Sequence, residues 1–123
     1  DNRTTALRVP LSDPAATRIE HRVAGADSNP YLVLAALLGA MEYGLTRKLE
    51  PPPPIRGNAY IQPATYIPDA WGEALKCFES SEFIRDCFGK NYQAWFTACK
   101  RQEREHLRGI VPPSEYDLYL QTV

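Results

Sequence analysis

The sequence predicts an α+β fragment: two antiparallel strands from a larger sheet, then four to five helices tied by a proline-rich crossover. Three observations carry this reading. Short period-two stretches with β-branched residues fall at 4–10 and 17–23. An almost wholly apolar helical stretch runs from Pro30 to about Lys48. Beyond a segment with six prolines between Glu50 and Pro68, apolar residues recur at helical spacing from 69 to 121.

In order, Thr4-Thr5-Ala6-Leu7-Arg8-Val9-Pro10 reads as a strand closed by Pro10, with Arg8 pointing opposite to Leu7 and Val9. Ser12-Asp13-Pro14-Ala15-Ala16 is turn chemistry. The second strand, 17–23, sets Arg18, Glu20 and Arg22 on one face and Ile19, His21 and Val23 on the other. Two strands alone are barely stable in water, so they are expected to join more strands. The charged face has two readings by pattern. One is a solvated outer face where alternating charges pair cheaply. The other is an anion-handling surface, with arginines for phosphate or carboxylate and a glutamate for a divalent cation.

Ala24-Gly25-Ala26-Asp27-Ser28 forms a small-residue loop, Asn29 an N-cap, and Pro30 the first helical position. The helix that follows is apolar nearly all round, which asks for burial on every side and so for a further domain or a partner subunit. The run Pro51–Pro54 forbids regular helix or central strand, and Tyr60 and Tyr66 are expected to pin this crossover down. A proline-rich ligand for an aromatic groove is the alternative there. Asp69 is then expected to cap a helix carrying Trp71, Ala74, Leu75 and Phe78. Phe83, Ile84, Cys87 and Phe88 form a short apolar face ended by Gly89. Tyr92, Trp95, Phe96 and Cys99 open a longer helix with a charged end, and Tyr116, Tyr119 and Leu120 face inward on a last helix from about Pro113.

Charge is nearly balanced, with 14 basic and 15 acidic residues, which argues against a nucleic-acid stripe or a polybasic membrane surface. The longest apolar run, Tyr31 to Met41, is too short to cross a bilayer. Cys77, Cys87 and Cys99 are odd in number and widely spaced; they read as small buried hydrophobes in a reducing cytoplasm. His106 has no second histidine or cysteine at ligand spacing. The opening residues Asp1-Asn2 read as the middle of a structure, so the chain is expected to be a fragment.

The run Arg-Ile-Glu-His-Arg-Val-Ala-Gly-Ala-Asp-Ser-Asn-Pro-Tyr-Leu (18–32) resembles the C-terminal signature of the glutamine synthetase superfamily, nearest its γ-glutamyl-amine branch, the γ-glutamylputrescine synthetases. Asn2-Arg3-Thr4-Thr5-Ala6-Leu7-Arg8-Val9-Pro10 is similar to the family's Asn-Arg-Ser-x-x-x-Arg-Ile-Pro segment, and Val111 to Leu120 looks like its final helix. The resemblance implies that 1–123 is a C-terminal fragment of a catalytic domain whose strands help line an active-site barrel. It implies an ATP-dependent ligase that activates glutamate as γ-glutamyl phosphate and joins it to ammonia or an amine, using Mg2+ or Mn2+. On that likeness Glu20 is a metal ligand, Arg22 holds the glutamate substrate, and Arg8 and Arg18 serve ATP. Arg3 lies near the transferred phosphoryl and the substrate, as a catalytic and substrate-binding residue. His21 faces away and is read as structural. A homo-oligomer in the full-length form is implied too, with no nucleic acid and no membrane as partner.

Two departures are local: Thr4 stands where the family usually has serine, and Ala24-Gly25-Ala26-Asp27 replaces the Phe-Pro-Asp type of loop. A larger one is that the family's other metal-binding glutamates and histidine, its flap glutamate and its N-terminal domain are absent from this chain. The chain alone is therefore expected to lack ligase activity. The competing reading is a non-catalytic helical module for partner or oligomer contacts, retaining a remnant anion-binding strand pair.

Overall fold

Pro10 removes a backbone donor, and the Thr4 N–H is taken by the Asn2 side chain at 3.0 Å, so little of the first extended stretch is left to make a ladder. The ladder is correspondingly short. In the computed structural model, which describes residues 2–63, 67–120 and 122, β1 is Leu7–Arg8 and β2 is Glu20–His21. They pair antiparallel with Leu7 opposite His21 and Arg8 opposite Glu20, and Arg22 N–H extends the pairing to the Ala6 carbonyl at 3.0 Å. The strands expected over 4–10 and 17–23 are thus cut down at both ends. On the second, Thr17 is drawn into a 3-10 turn at Pro14–Ala16 that Asp13 caps.

The chain divides into two units, Asp1–Tyr66 and Ile67–Val123. In the first, α1 (Pro30–Thr46) starts where Asn29 Oδ1 accepts from the Tyr31 and Leu32 amides at 3.0 and 3.3 Å. It stops two residues short of Lys48 because Lys48 adopts a left-handed backbone, φ 50°. The Lys48 and Leu49 amides then turn back to the Leu45 and Gly44 carbonyls at 3.2 and 3.0 Å, a Schellman closure with lysine where glycine is usual. No α1 residue is buried within the chain. Tyr31, Leu34, Leu38, Met41 and Leu45, alternately three and four positions apart, leave an exposed apolar stripe along the helix. Beyond the prolines, Asn58 caps a second 3-10 turn at Ala59–Ile61, and Tyr60, expected to pin this segment, is exposed. Tyr66, given the same role, lies outside the described residues.

The second unit holds α2 (Trp71–Ser80), α3 (Glu82–Phe88), α4 (Lys90–Arg108) and α5 (Pro113–Tyr119). Helices α2 and α3 both pack on α4. Phe78 meets Phe96 at 4.9 Å between ring centroids, and Tyr92 stacks between Phe88 at 5.2 Å and Phe96 at 5.7 Å. Ser81 Oγ caps α3, and Gly89 ends it at φ 86°. Gly72 admits the Arg104 guanidinium so closely that a Cβ there would lie 2.9 Å from it.

Several expectations fail in this unit for one reason: a 57-residue helical unit has a narrow seam, and side chains beside it stay in solvent. Cys77, Cys87 and Cys99 are exposed rather than buried. Leu75 is buried, but Trp95 is largely exposed. Tyr116, Tyr119 and Leu120 are exposed rather than turned inward. Apart from that, the α2 cap falls one residue later than expected, on Ala70 with its extended backbone and no side-chain bond, in place of Asp69.

Candidate functional site

The antiparallel register puts Arg8 directly across from Glu20, and Arg18 and Arg22 stand two positions before and after Glu20 in the extended chain that flanks β2. Arg8 donates from Nε at 2.7 Å and from its terminal nitrogen at 2.6 Å, both to Glu20 Oε2. Arg18 reaches the other oxygen, Oε1, at 3.2 Å, and also donates to the Ala16 carbonyl at 3.3 Å. Glu20 is thus held between two guanidiniums, with about a quarter of its side chain exposed (27%), enough to keep the group open to solvent.

Arg22 turns the other way along the strand and donates to the Asn2 carbonyl at 2.8 Å. That places it against the peptide leading into Arg3. Arg3 is exposed and lines an open depression of about 590 Å3 together with Asn2, Thr4, Gly57 and Asn58. Of the residues singled out from sequence, the structure joins Arg8, Arg18 and Glu20 by direct contacts, and links Arg22 to the Asn2–Arg3 peptide. His21 is exposed opposite Leu7, on the alternate face.

Sequence reasoning missed the contribution of the crossover. Asn2 Nδ2 donates to the Gly57 carbonyl at 2.8 Å, and the Ala59 amide donates to Thr4 Oγ1 at 2.8 Å, across 55 residues of chain. The signal available was slight: a Gly57-Asn58 turn pair after the prolines.

Chemically, two guanidiniums on the Glu20 carboxylate leave an excess of positive charge in that cluster. Arg22 and Arg3 add two more guanidiniums along the Asn2–Arg3 peptide, side chains suited to phosphate or carboxylate groups. A divalent cation is a different matter. Both Glu20 oxygens are engaged by arginine, and among the described residues no three His, Cys, Asp or Glu side chains come together as a metal cluster. The donors present here do not by themselves fit a divalent-cation site, which takes several oxygens. Among the described residues no helix is long and apolar enough to cross a membrane.

Comparison with known proteins gives this arginine-rich strand pair its context. Residues 1–119 match the family model described as glutamine synthetase, catalytic domain. Gamma-glutamylputrescine synthetase of Escherichia coli is 34% identical over 121 residues, which cover 98% of this chain and 26% of that protein. Glutamate–isopropylamine ligase of a Pseudomonas species is 38% identical over 126 residues, covering 100% of this chain and 28% of the relative. Glutamine synthetase of Thermus thermophilus is 33% identical over 129 residues, covering 98% and 29%. The chain therefore spans about a quarter of the length of the curated relatives it matches. With the family model covering nearly the whole chain, this protein belongs to the glutamine synthetase family, as part of its catalytic domain.

Proposed function

We propose that the chain is the C-terminal part of a catalytic domain in an ATP-dependent carboxylate–amine ligase, which activates glutamate as γ-glutamyl phosphate and couples it to ammonia or an amine. The observation that carries the reading is the Arg8–Glu20–Arg18 cluster, with Arg22 bound to the peptide that leads into Arg3, in a chain of this family. The names of the relatives, a putrescine, an isopropylamine and an ethanolamide ligase among them, favour the γ-glutamyl-amine branch.

A free carboxylate is a poor electrophile, and passing a phosphoryl group to it concentrates negative charge that fixed cations must meet. In this reading Arg22 holds the glutamate, Arg3 faces the phosphoryl in transfer, and Arg8 and Arg18 bind ATP phosphates. Arg22 uses one donor on the Asn2 carbonyl and keeps others for a substrate carboxylate, since a guanidinium carries five N–H groups. A bound Mg2+ or Mn2+ would neutralise phosphate charge; Glu20 is the residue of this chain assigned to it, and the remaining donors lie outside the chain. Assembly into a homo-oligomer and a cytoplasmic location belong to the same proposal.

The test is glutamate-dependent ADP release by the full-length protein carrying this chain, with ammonia, putrescine, ethanolamine and isopropylamine in turn. Arg22→Ala should lower kcat/KM for glutamate by about 100-fold, the equivalent of a charged hydrogen bond of about 3 kcal/mol. The 123-residue chain alone should release no ADP. Amine-dependent product from the isolated chain, or an unaffected Arg22→Ala enzyme, overturns the assignment. A second reading, a non-catalytic interaction module, draws on the exposed apolar stripe of α1, and is favoured if the full-length protein turns nothing over.

A further inference from the structure

The two residues flanking Arg3 are tied into a closed ring of hydrogen bonds with the crossover. Asn2 Nδ2 donates to the Gly57 carbonyl at 2.8 Å, while Asn2 Oδ1 accepts from the Thr4 amide at 3.0 Å and the Thr4 hydroxyl at 2.7 Å. The same Thr4 hydroxyl accepts from the Ala59 amide at 2.8 Å, which closes the ring. The polarities agree around the ring: the Thr4 hydroxyl gives its proton to Asn2 Oδ1 and offers a lone pair to the Ala59 amide. The peptide joining Asn2 to Arg3 is held as well, because its carbonyl accepts from Arg22 at 2.8 Å and from the Thr5 hydroxyl at 3.4 Å. On the crossover side, Gly57 at φ 78° turns its carbonyl toward Asn2, a backbone that other residues adopt at a cost. The loop is braced internally by Asn58 on the Tyr60 amide at 3.0 Å and Gln62 on the Arg56 carbonyl.

We propose that Asn2 and Thr4 are positioning residues, which clasp Gly57–Ala59 and so fix the backbone on both sides of Arg3 at the mouth of the depression these residues line. This rests on the ligase reading of Arg3 given above. A long, exposed arginine samples many rotamers, and fixing its backbone limits where the guanidinium can go. The proline-rich crossover thereby becomes part of the site's frame, although it offers no charged group to it at Gly57–Ala59.

The experiment compares Thr4→Val, Thr4→Ser, Arg3→Ala and the Arg3→Ala/Thr4→Val double variant in the full-length protein. Valine keeps the β-branch and removes the hydroxyl; serine keeps the hydroxyl. Thr4→Val should lower kcat about tenfold with KM for ATP unchanged, since displacement of about 1 Å can cost up to 100-fold. Thr4→Ser should restore kcat to within about threefold of wild type, and Thr4→Val should have less than about a twofold effect once Arg3 is alanine. Amide exchange at Ala59 should speed at least about tenfold in Thr4→Val, yet stay slow in Thr4→Ser and Arg3→Ala. Unchanged Ala59 exchange in Thr4→Val overturns the clasp. Active wild type with an additive double variant overturns positioning alone, leaving the ligase reading in place. Wild-type protein without glutamate-dependent ADP release overturns that reading and the positioning role with it.

Discussion

Replacing Gln93 tests how the second unit holds α2 and α3 on α4. Its side chain is buried, at 8% exposure, and its amide nitrogen donates to the carbonyls of Phe78 at 2.8 Å, Glu79 at 3.1 Å and Ser81 at 2.9 Å. Three acceptors converging on one atom fix the amide with nitrogen inward, and make it the clamp on the C-terminal carbonyls of α2. Gln93→Met keeps length and approximate volume while removing both N–H groups. A neutral hydrogen bond is worth about 1 kcal/mol net, and a stranded buried acceptor costs about 1–3 kcal/mol. Two of the carbonyls keep another donor, Ser81 N–H on Phe78 at 3.4 Å and Arg85 N–H on Ser81 at 3.2 Å, so the loss stays below three full bonds. The expected destabilisation is about 1–3 kcal/mol, and Gln93→Glu should exceed it, because a carboxylate would face three carbonyl oxygens. The assay is urea denaturation followed by far-UV circular dichroism, with the midpoint shift converted through the measured slope. A Gln93→Met change below about 0.5 kcal/mol, or a Glu variant as stable as wild type, would refute the clamp.

Two further outcomes follow from local features. Lys48→Gly should stabilise the chain by about 0.5 kcal/mol, because relief of the left-handed backbone, about 1 kcal/mol, outweighs the greater unfolded-state entropy of glycine; a loss of stability in the same denaturation assay contradicts the Schellman geometry. Burial raises the pKa of Tyr92 above the ordinary tyrosine value, opposed by the Lys100 charge, so the unfolded chain loses this proton first. Stability should therefore fall as pH rises past the unfolded tyrosine pKa, and Tyr92→Phe should flatten that part of the pH–stability curve; an unchanged slope argues against the partial desolvation of this hydroxyl.

Much of the local structure was legible because it depends on short-range sterics and hydrogen bonding. Asn29-Pro30 marked the start of α1, Gly89 the end of α3, and period-two spacing paired Arg18 with Glu20, although Arg22, expected on the same face, donates to the Asn2 carbonyl instead. The same patterns misplaced features that depend on what lies across the chain. Helical spacing made Cys77, Cys99 and Tyr119 look buried, yet spacing says only which face a residue is on, and the unit supplies no surface opposite them.

The sequence by itself determined the α+β class, the family, and the set of arginines and glutamate that characterises the strand pair. Only the tertiary structure decided that Glu20 spends both oxygens on Arg8 and Arg18, that Arg22 braces the Asn2–Arg3 peptide, and that Gly57–Ala59 returns to clasp Asn2 and Thr4. The reason is physical. Capping and alternation act within a turn or a strand, whereas a hydrogen bond across 55 residues exists only once the chain has closed on itself, and no local pattern encodes which carbonyl will arrive there.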